Sequence, residues 1–280
     1  LADRIEAAGG KVFWARTAEE ARQYIAGLAS EKGVKLVVKS KSMTTEEIEL
    51  NKALARVGVE AVETDLGEYI IQLAGEMPSH LLAPAIHKTK EQVAELFSEK
   101  LGEHFPPDIG ILTQAARKSL RQKFLNADMG ISGANFAVAE TGTIVIITNE
   151  GNGRLATSLP PIHVAVVGIE KVIPTLNDLA VLLKLLVPSG TGQKISSYVT
   201  MVSGPRKDLE SNGPQEFHLV LLDNGRSRIL ASEYRETLRC LRCGACLNVC
   251  PVYTKIGGHA YGWVYSGPIG AVLTPLYKGL

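Results

Sequence analysis

The 280-residue chain sets 30 Lys and Arg against 29 Asp and Glu, a formal net charge of +1, so no overall field favours nucleic acid or an acidic membrane surface. Its 45% hydrophobic and 21% charged residues are the proportions of an ordinary folded protein with material for one or two cores. The longest apolar stretches, Ile162 to Val167 and Leu179 to Val187, are interrupted by His163 and Lys184 and fall short of a membrane span.

The chain opens on Leu1 within a helical pattern, and Leu276 to Leu280 read as folded sequence, which suggests a piece of a longer protein. No signal peptide is visible, so a cytoplasmic address is expected. Ala2 to Ala8 predicts a short helix and Lys11 to Ala15 an apolar strand. Thr17, with Glu20 three residues on, reads as a capping-box start for a helix reaching about Ser30. Val34 to Lys39 predicts a buried strand, Thr44 or Thr45 the cap of a helix through Arg56, and Val59 to Val62 another strand. Strand–helix repetition of this kind implies an α/β fold, a parallel or mixed sheet flanked by helices.

Ile109 to Leu125 predicts a long helix whose Arg117, Lys118, Arg121 and Lys123 form a solvated face. Strands are expected at Gly130 to Ser132, Ala134 to Val138, Thr143 to Thr148 and Ile162 to Val167, with a turn-rich loop over Asn149 to Arg154. Leu176 to Leu186 reads as an apolar helix stopped by Pro188. Tyr198 to Val202 and Phe217 to Leu222 are the last strands. The pattern changes near Asn224, which predicts two domains, 1–225 and 226–280.

All four cysteines fall in the second domain: Cys240, Cys243, Cys246 and Cys250, followed by Pro251. The spacing C-x2-C-x2-C-x3-C-P is that of bacterial ferredoxins, and soft thiolates suit iron. Gly244 and Ala245 are small enough for backbone N–H groups to approach a cluster, and Pro251 separates the fourth cysteine from the first three. A disulphide framework is disfavoured by the absence of cysteines elsewhere, and a zinc knuckle by the lack of two separated pairs. In this run three cysteines serve one cluster and the fourth ligates another. The 226–280 segment is therefore a partial ferredoxin-like helical domain. Its remaining ligands are expected from a second motif beyond Leu280 or from another subunit.

Several longer stretches carry a resemblance. Lys41-Ser42-Met43-Thr44, Glu63 to Tyr69, Pro78-Ser79-His80, Gly133 to Thr143 and Thr148 to Arg154 resemble the lactate-utilisation (LUD) domain family, in its iron–sulphur branch. The resemblance implies a main domain similar to the ribose-phosphate isomerase, glucosamine-phosphate deaminase and CoA-transferase superfamily. It implies two 4Fe-4S clusters in the intact protein, incomplete in these residues, and an electron-transfer role beside two partner subunits in converting L-lactate to pyruvate. The alternative is a LUD domain that is itself an enzyme or sensor for a small carboxylate or phosphorylated metabolite, with regulatory clusters.

Candidate ligand residues lie in two loops. Glu140 and Thr141 open a turn between strands, where Glu140 could orient a ligand or simply cap a neighbour. Asn152 and Arg154 belong to the Asn149 to Arg154 loop, whose N–H groups could form an anion nest and whose Arg could grip a carboxylate. That loop is not a dinucleotide or Walker fingerprint, since both the spacing and a following helix are missing. Lys39 to Ser42 precedes a helix and could favour anions, though two lysines in a solvated loop is the simpler reading. His80, His87 and His163 read as structural.

Overall fold

The computed structural model describes residues 1–279. Helix α1 (Ala2–Ala7) leads into β1 (Lys11–Ala15), then α2 (Ala18–Glu31) and β2 (Leu36–Lys39). Short helices α3 (Met43–Glu47) and α4 (Leu50–Arg56) precede β3 (Glu60–Glu63), and α5 (Leu66–Ala74), α6 (Lys90–Leu101) and α7 (Ile109–Asn126) lead to β4 (Met129–Ser132). Next come β5 (Phe136–Val138), β6 (Thr143–Thr148), α8 (Asn152–Ser158), β7 (Ile162–Gly168), β8 (Val172–Ile173), α9 (Leu176–Thr191), β9 (Tyr198–Val202) and β10 (Glu216–Leu222). The final segment holds α10 (Arg226–Leu230), α11 (Ala245–Asn248), α12 (Pro251–Ile256) and α13 (Gly267–Lys278).

Six strands form one sheet in the order β1-β10-β7-β4-β2-β3, parallel throughout. A parallel sheet is covered on both faces, and alternate residues show this. Val164 and Val166 pack with Ile25, Leu50 and Leu54 from α2 and α4, while Ala165 and Val167 pack with Ile144 and Ile146 of a second sheet. Beneath β2 and β3, Val38 and Val62 meet α5, α6 and α7. The second sheet has the order β8-β5-β6-β9, with β6 antiparallel to both its neighbours. The expected α/β class is observed, with the strands divided between two sheets.

Sheet order places a crevice. The chain runs from β2 out to the edge strand β3, returns to β4 beside β2, and thereafter builds the other half through β7 and β10. The gap between the carboxyl ends of β2 and β4 is thus a topological switch point, where loops diverge and leave an opening. Close packing beside it needs a glycine: a Cβ on Gly130 would lie 1.7 Å from the Ala156 carbonyl oxygen, so α8 approaches β4 this closely only because that position has no side chain.

Several local expectations are corrected. The helix expected to run unbroken to Arg56 is two helices, capped by the Ser42 hydroxyl rather than by Thr44 or Thr45, and Glu49 turns left-handed at φ 51° between them. The Asn149 to Arg154 stretch is loop only as far as Gly151: α8 begins at Asn152, so the helix expected to be missing is present and holds Asn152 and Arg154 in its first turn. Pro188 does not stop α9, which runs on to Thr191. Its missing N–H lies in the last turn, where one lost hydrogen bond is tolerable. Pro251 opens α12 at the first helical position, which its fixed φ suits.

The C-terminal segment docks on the loop after α5. Gly258 N donates to Ser79 Oγ at 3.3 Å, and the Tyr253 hydroxyl donates to the Ser79 carbonyl at 2.8 Å. Leu81 joins Leu247, Trp263, Tyr265 and Leu273 in the segment's own small core. Among the described residues no helix is long and apolar enough to cross a membrane.

Candidate functional site between the sheet and the cysteine loop

A cavity of about 300 Å³ opens at the switch point, at the lower end of small-molecule site sizes. Its walls come from the β2 loop (Ser40 to Thr44), the β4 loop (Gly133 to Asn135), the far end of β6 with Asn152, the last turns of α9, and Leu241 to Cys243. The cysteine loop therefore closes one side of a pocket built by the sheet domain.

Two lysines leave β2 in different directions. Lys39 is fully buried; its Nζ donates to Glu46 Oε1 at 3.1 Å, to Asn51 Oδ1 at 2.7 Å, and to Glu63. Burial opposes its charge, but Glu63 and Glu46 outweigh burial and hold Lys39 well above the ordinary lysine value. Lys41 lines the cavity, donates to the Leu82 carbonyl at 2.8 Å and lies 3.9 Å from Glu68. Burial lowers the Lys41 pKa and pushes that of Glu68 up to about 8, with each group's charge only partly offsetting the other's burial. The loop is not a solvated pair of lysines. Its carboxylate partners are Glu46 in the following α3 and Glu63 and Glu68 in β3 and α5, the last two beyond the reach of local reading.

A buried ionic network adjoins the cavity through Lys171 and Arg242. Arg226 grips Glu47 with both Nη atoms at 2.9 Å and donates through Nε to Glu170. Glu47 also accepts from the Tyr265 hydroxyl at 2.7 Å and from Asn224 Nδ2 at 2.8 Å. Burial raises the Glu170 carboxyl, but the charges of Arg226, Lys171 and Arg242 outweigh this and hold it below the ordinary value. Lys171 is brought down to about 8 by burial and the neighbouring Arg242; its Nζ donates to the Cys240 carbonyl at 3.3 Å. Lys171 and Arg242 both line the cavity.

The residues singled out from sequence are dispersed. Asn152 lines the cavity, and its Oδ1 is buried without a hydrogen-bond partner. Arg154 is exposed, its guanidinium 5.1 Å from the Tyr198 ring centroid. Glu140 accepts from Leu176 N at 3.0 Å at the start of α9. Thr141 donates to Thr143 Oγ1 at 2.8 Å. That pair sits at the opposite end of β6 from Asn152. His80 Nδ1 accepts from Leu82 N at 3.0 Å, and His163, which shares a 2.8 Å hydrogen bond with Ser132, is lowered by burial to about 3.

Cys240, Cys243, Cys246 and Cys250 are free thiols. Four thiols at ferredoxin spacing fit an iron–sulphur cluster in donor chemistry. Their present arrangement does not close around one. Cys243 packs against the Phe136 to Leu186 cluster, Cys246 against Leu247 and Tyr265, and Cys250 Sγ accepts from Tyr253 N at 3.4 Å. Among the described residues no three His, Cys, Asp or Glu side chains form a metal-binding group. Arg242 and Lys171 escaped sequence reading because one is hidden among thiols and the other follows an apolar strand without a motif.

Relatives bear on this arrangement. The chain is 55% identical over all 280 residues to lactate utilization protein B of Shouchella clausii and 53% identical over 279 residues to that of Bacillus thuringiensis. It spans 59% of the length of each. A DUF162 family protein from Deinococcus radiodurans, solved at 1.70 Å, superposes with a TM-score of 0.43 at 14% identity, covering 79% of this chain and 92% of that one. The profile of the LUD domain matches residues 1–222, which end with the last strand of the six-stranded sheet. From Leu1 to Leu222, with the crevice between β2 and β4, the chain belongs to the LUD domain family.

Proposed function

We propose that this chain is part of a lactate-utilisation protein and serves as an iron–sulphur electron-transfer subunit in the oxidation of L-lactate to pyruvate. The carrying observation is the run Cys240, Cys243, Cys246, Cys250, Pro251, which lies inside the stretch matched to proteins named lactate utilization protein B. Cys240, Cys243 and Cys246 would hold one 4Fe-4S cluster, and Cys250 would contribute to a second. The remaining ligands come from outside these residues, and two further subunits complete the reaction. Such clusters supply one-electron transfer. The chain's own residues would hold the loop: Lys171 on the Cys240 carbonyl, and Gly244 in the left-handed region at φ 74° where a Cβ would meet His80 at 3.2 Å.

Full-length protein reconstituted anaerobically with iron and sulphide should show cluster absorbance and a reducible EPR signal. Cys240→Ser should abolish the signal of one cluster and leave the sheet domain folded by circular dichroism. Reconstituted protein without either signal would overturn the reading. A second reading, in which the LUD domain itself takes a small carboxylate, is favoured by the cavity at the switch point.

A further inference from the structure

Arg242 stands out within the cysteine run. Its backbone is left-handed at φ 63°, an uncommon state for a residue with a side chain. The turn carries the guanidinium inward to 4.7 Å from the centroid of the Tyr265 ring, where the side chain is only 9% exposed. The nearest carboxylate oxygen, on Glu170, is 3.7 Å away, too far for a hydrogen bond. Both Nη atoms are buried and without a partner.

The existing acids do not meet this demand. Glu170 is engaged by Arg226 Nε, and Glu47 by Arg226, Asn224 and Tyr265. Three cations, Lys171, Arg226 and Arg242, thus face two carboxylates in a buried cluster, one more than the carboxylates balance, and beyond these the Cys240 sulphur is the other acidic group that bears on both Lys171 and Arg242. Of the acids lining the cavity, Asp65 accepts from Glu68 N as the cap of α5 and Glu150 is exposed. Buried charge without a counter-charge is costly, and guanidinium donors match a carboxylate fork.

The rest of the wall narrows the ligand. Asn152 Oδ1 is a buried acceptor lacking a donor, as a ligand hydroxyl would supply. Leu81, Ile146, Leu186 and Val187 form an apolar part of the lining, beside polar residues that include Lys41, Thr148 and Gln193. We propose that the cavity is a hydroxycarboxylate site: Arg242 and Lys171 receive the carboxylate, Asn152 accepts from the hydroxyl, and the apolar walls take a hydrocarbon body. The inference rests on the second reading above and gives that reading a location and a ligand class. It also makes the cysteine loop a wall of the ligand site.

The test is calorimetric titration of residues 1–280 with L-lactate, phenyllactate and 3-phenylpropanoate, which lacks the hydroxyl. Phenyllactate is expected to bind tightest. Arg242→Gln should weaken it by about tenfold to a hundredfold, the worth of a charge-assisted hydrogen bond. Gly190→Leu is a second route: a Cβ there lies 3.3 Å from Leu82 and 3.7 Å from the Cys243 carbonyl, so the side chain fills the pocket and should remove binding. Asn152→Ala should abolish the preference for phenyllactate over 3-phenylpropanoate, and Arg154→Ala should change nothing. Binding that survives both Arg242→Gln and Gly190→Leu, or that is lost in Arg154→Ala, overturns the location while leaving the second reading standing. A preference that survives Asn152→Ala overturns the ligand class, and no binding of any of the three acids overturns both.

Discussion

Replacing Arg226 with Met asks how firmly the buried ion network ties the cysteine segment to the sheet. The Arg226 side chain is 1% exposed and donates to Glu47 twice, to Glu170 once and to the Asp223 carbonyl at 3.1 Å. Met preserves much of the apolar volume but leaves two buried carboxylates without that cation. Removing one partner of a buried pair costs about 3–5 kcal/mol, roughly a fifth or more of a typical folding free energy of about 5–15 kcal/mol. Urea unfolding of residues 1–280 at pH 7, followed by far-ultraviolet circular dichroism, measures it. The penalty should also depend on pH. In the native chain burial raises Glu170 but the surrounding cations hold it below its ordinary value. Its stabilising contribution is therefore present above the unfolded carboxylate value, about 4.3, and lost as pH falls through the depressed folded value. The variant lacks most of that contribution, so the two proteins should converge in stability below about pH 4. A loss under about 1 kcal/mol at pH 7, of the size expected for an exposed pair, would refute this account of the network. So would a penalty that does not shrink in acid.

Two other substitutions probe separate features. Burial pushes the Glu68 carboxyl up to about 8 against the opposing charge of Lys41, so the folded state holds its proton longer than the unfolded chain does. Its contribution is complete below about pH 4.3 and is lost as pH rises towards 8. Thermal melts of Glu68→Gln should fall less steeply than wild type between pH 5 and pH 8, and equal slopes would exclude the assignment. At Gly258 a Cβ would lie 1.7 Å from the Ser79 carbonyl oxygen. Gly258→Ala should loosen the C-terminal segment at a cost near the top of the usual overpacking range of about 1–3 kcal/mol. Limited proteolysis would then cut the region after Leu222 faster while the sheet domain stays resistant; an unchanged digestion pattern would show that docking does not depend on this contact.

Much of the sheet was legible because its strands are short runs of β-branched and aromatic residues punctuated by turns. Lys11 to Ala15, Thr143 to Thr148 and Tyr198 to Val202 have the same bounds in sequence and structure. Helices were harder where tertiary packing overrides local pattern. The break at Ile48 and Glu49 interrupts an apolar periodicity that runs on without it, and Ile48 and Leu50 are fully buried at that break. Helices α5 and α6 were overlooked although Asp65 and Thr89 are good caps, each followed three residues on by Glu or Gln. The candidate site was least legible. Lys41, Lys171 and Arg242 are far apart in sequence and carry no shared motif, and only the return of β4 beside β2 and the docking of the cysteine segment bring them to one cavity.

The pairing of β1 with β10 also governs the order in which the chain can fold. Lys11 aligns with His218 and Ala15 with Leu222, so one edge of the sheet waits for nearly the whole LUD domain to leave the ribosome. Contacts this distant in sequence slow folding, because a long loop must close before they stabilise anything. Until then β1 and the open side of β7 are unpaired edges, the kind that invite association with other chains. The cysteine segment emerges only after β10 is made. Its docking surfaces, Ser79 and Glu47, then already belong to a closed sheet domain. Newly made thiols would thus meet a formed platform.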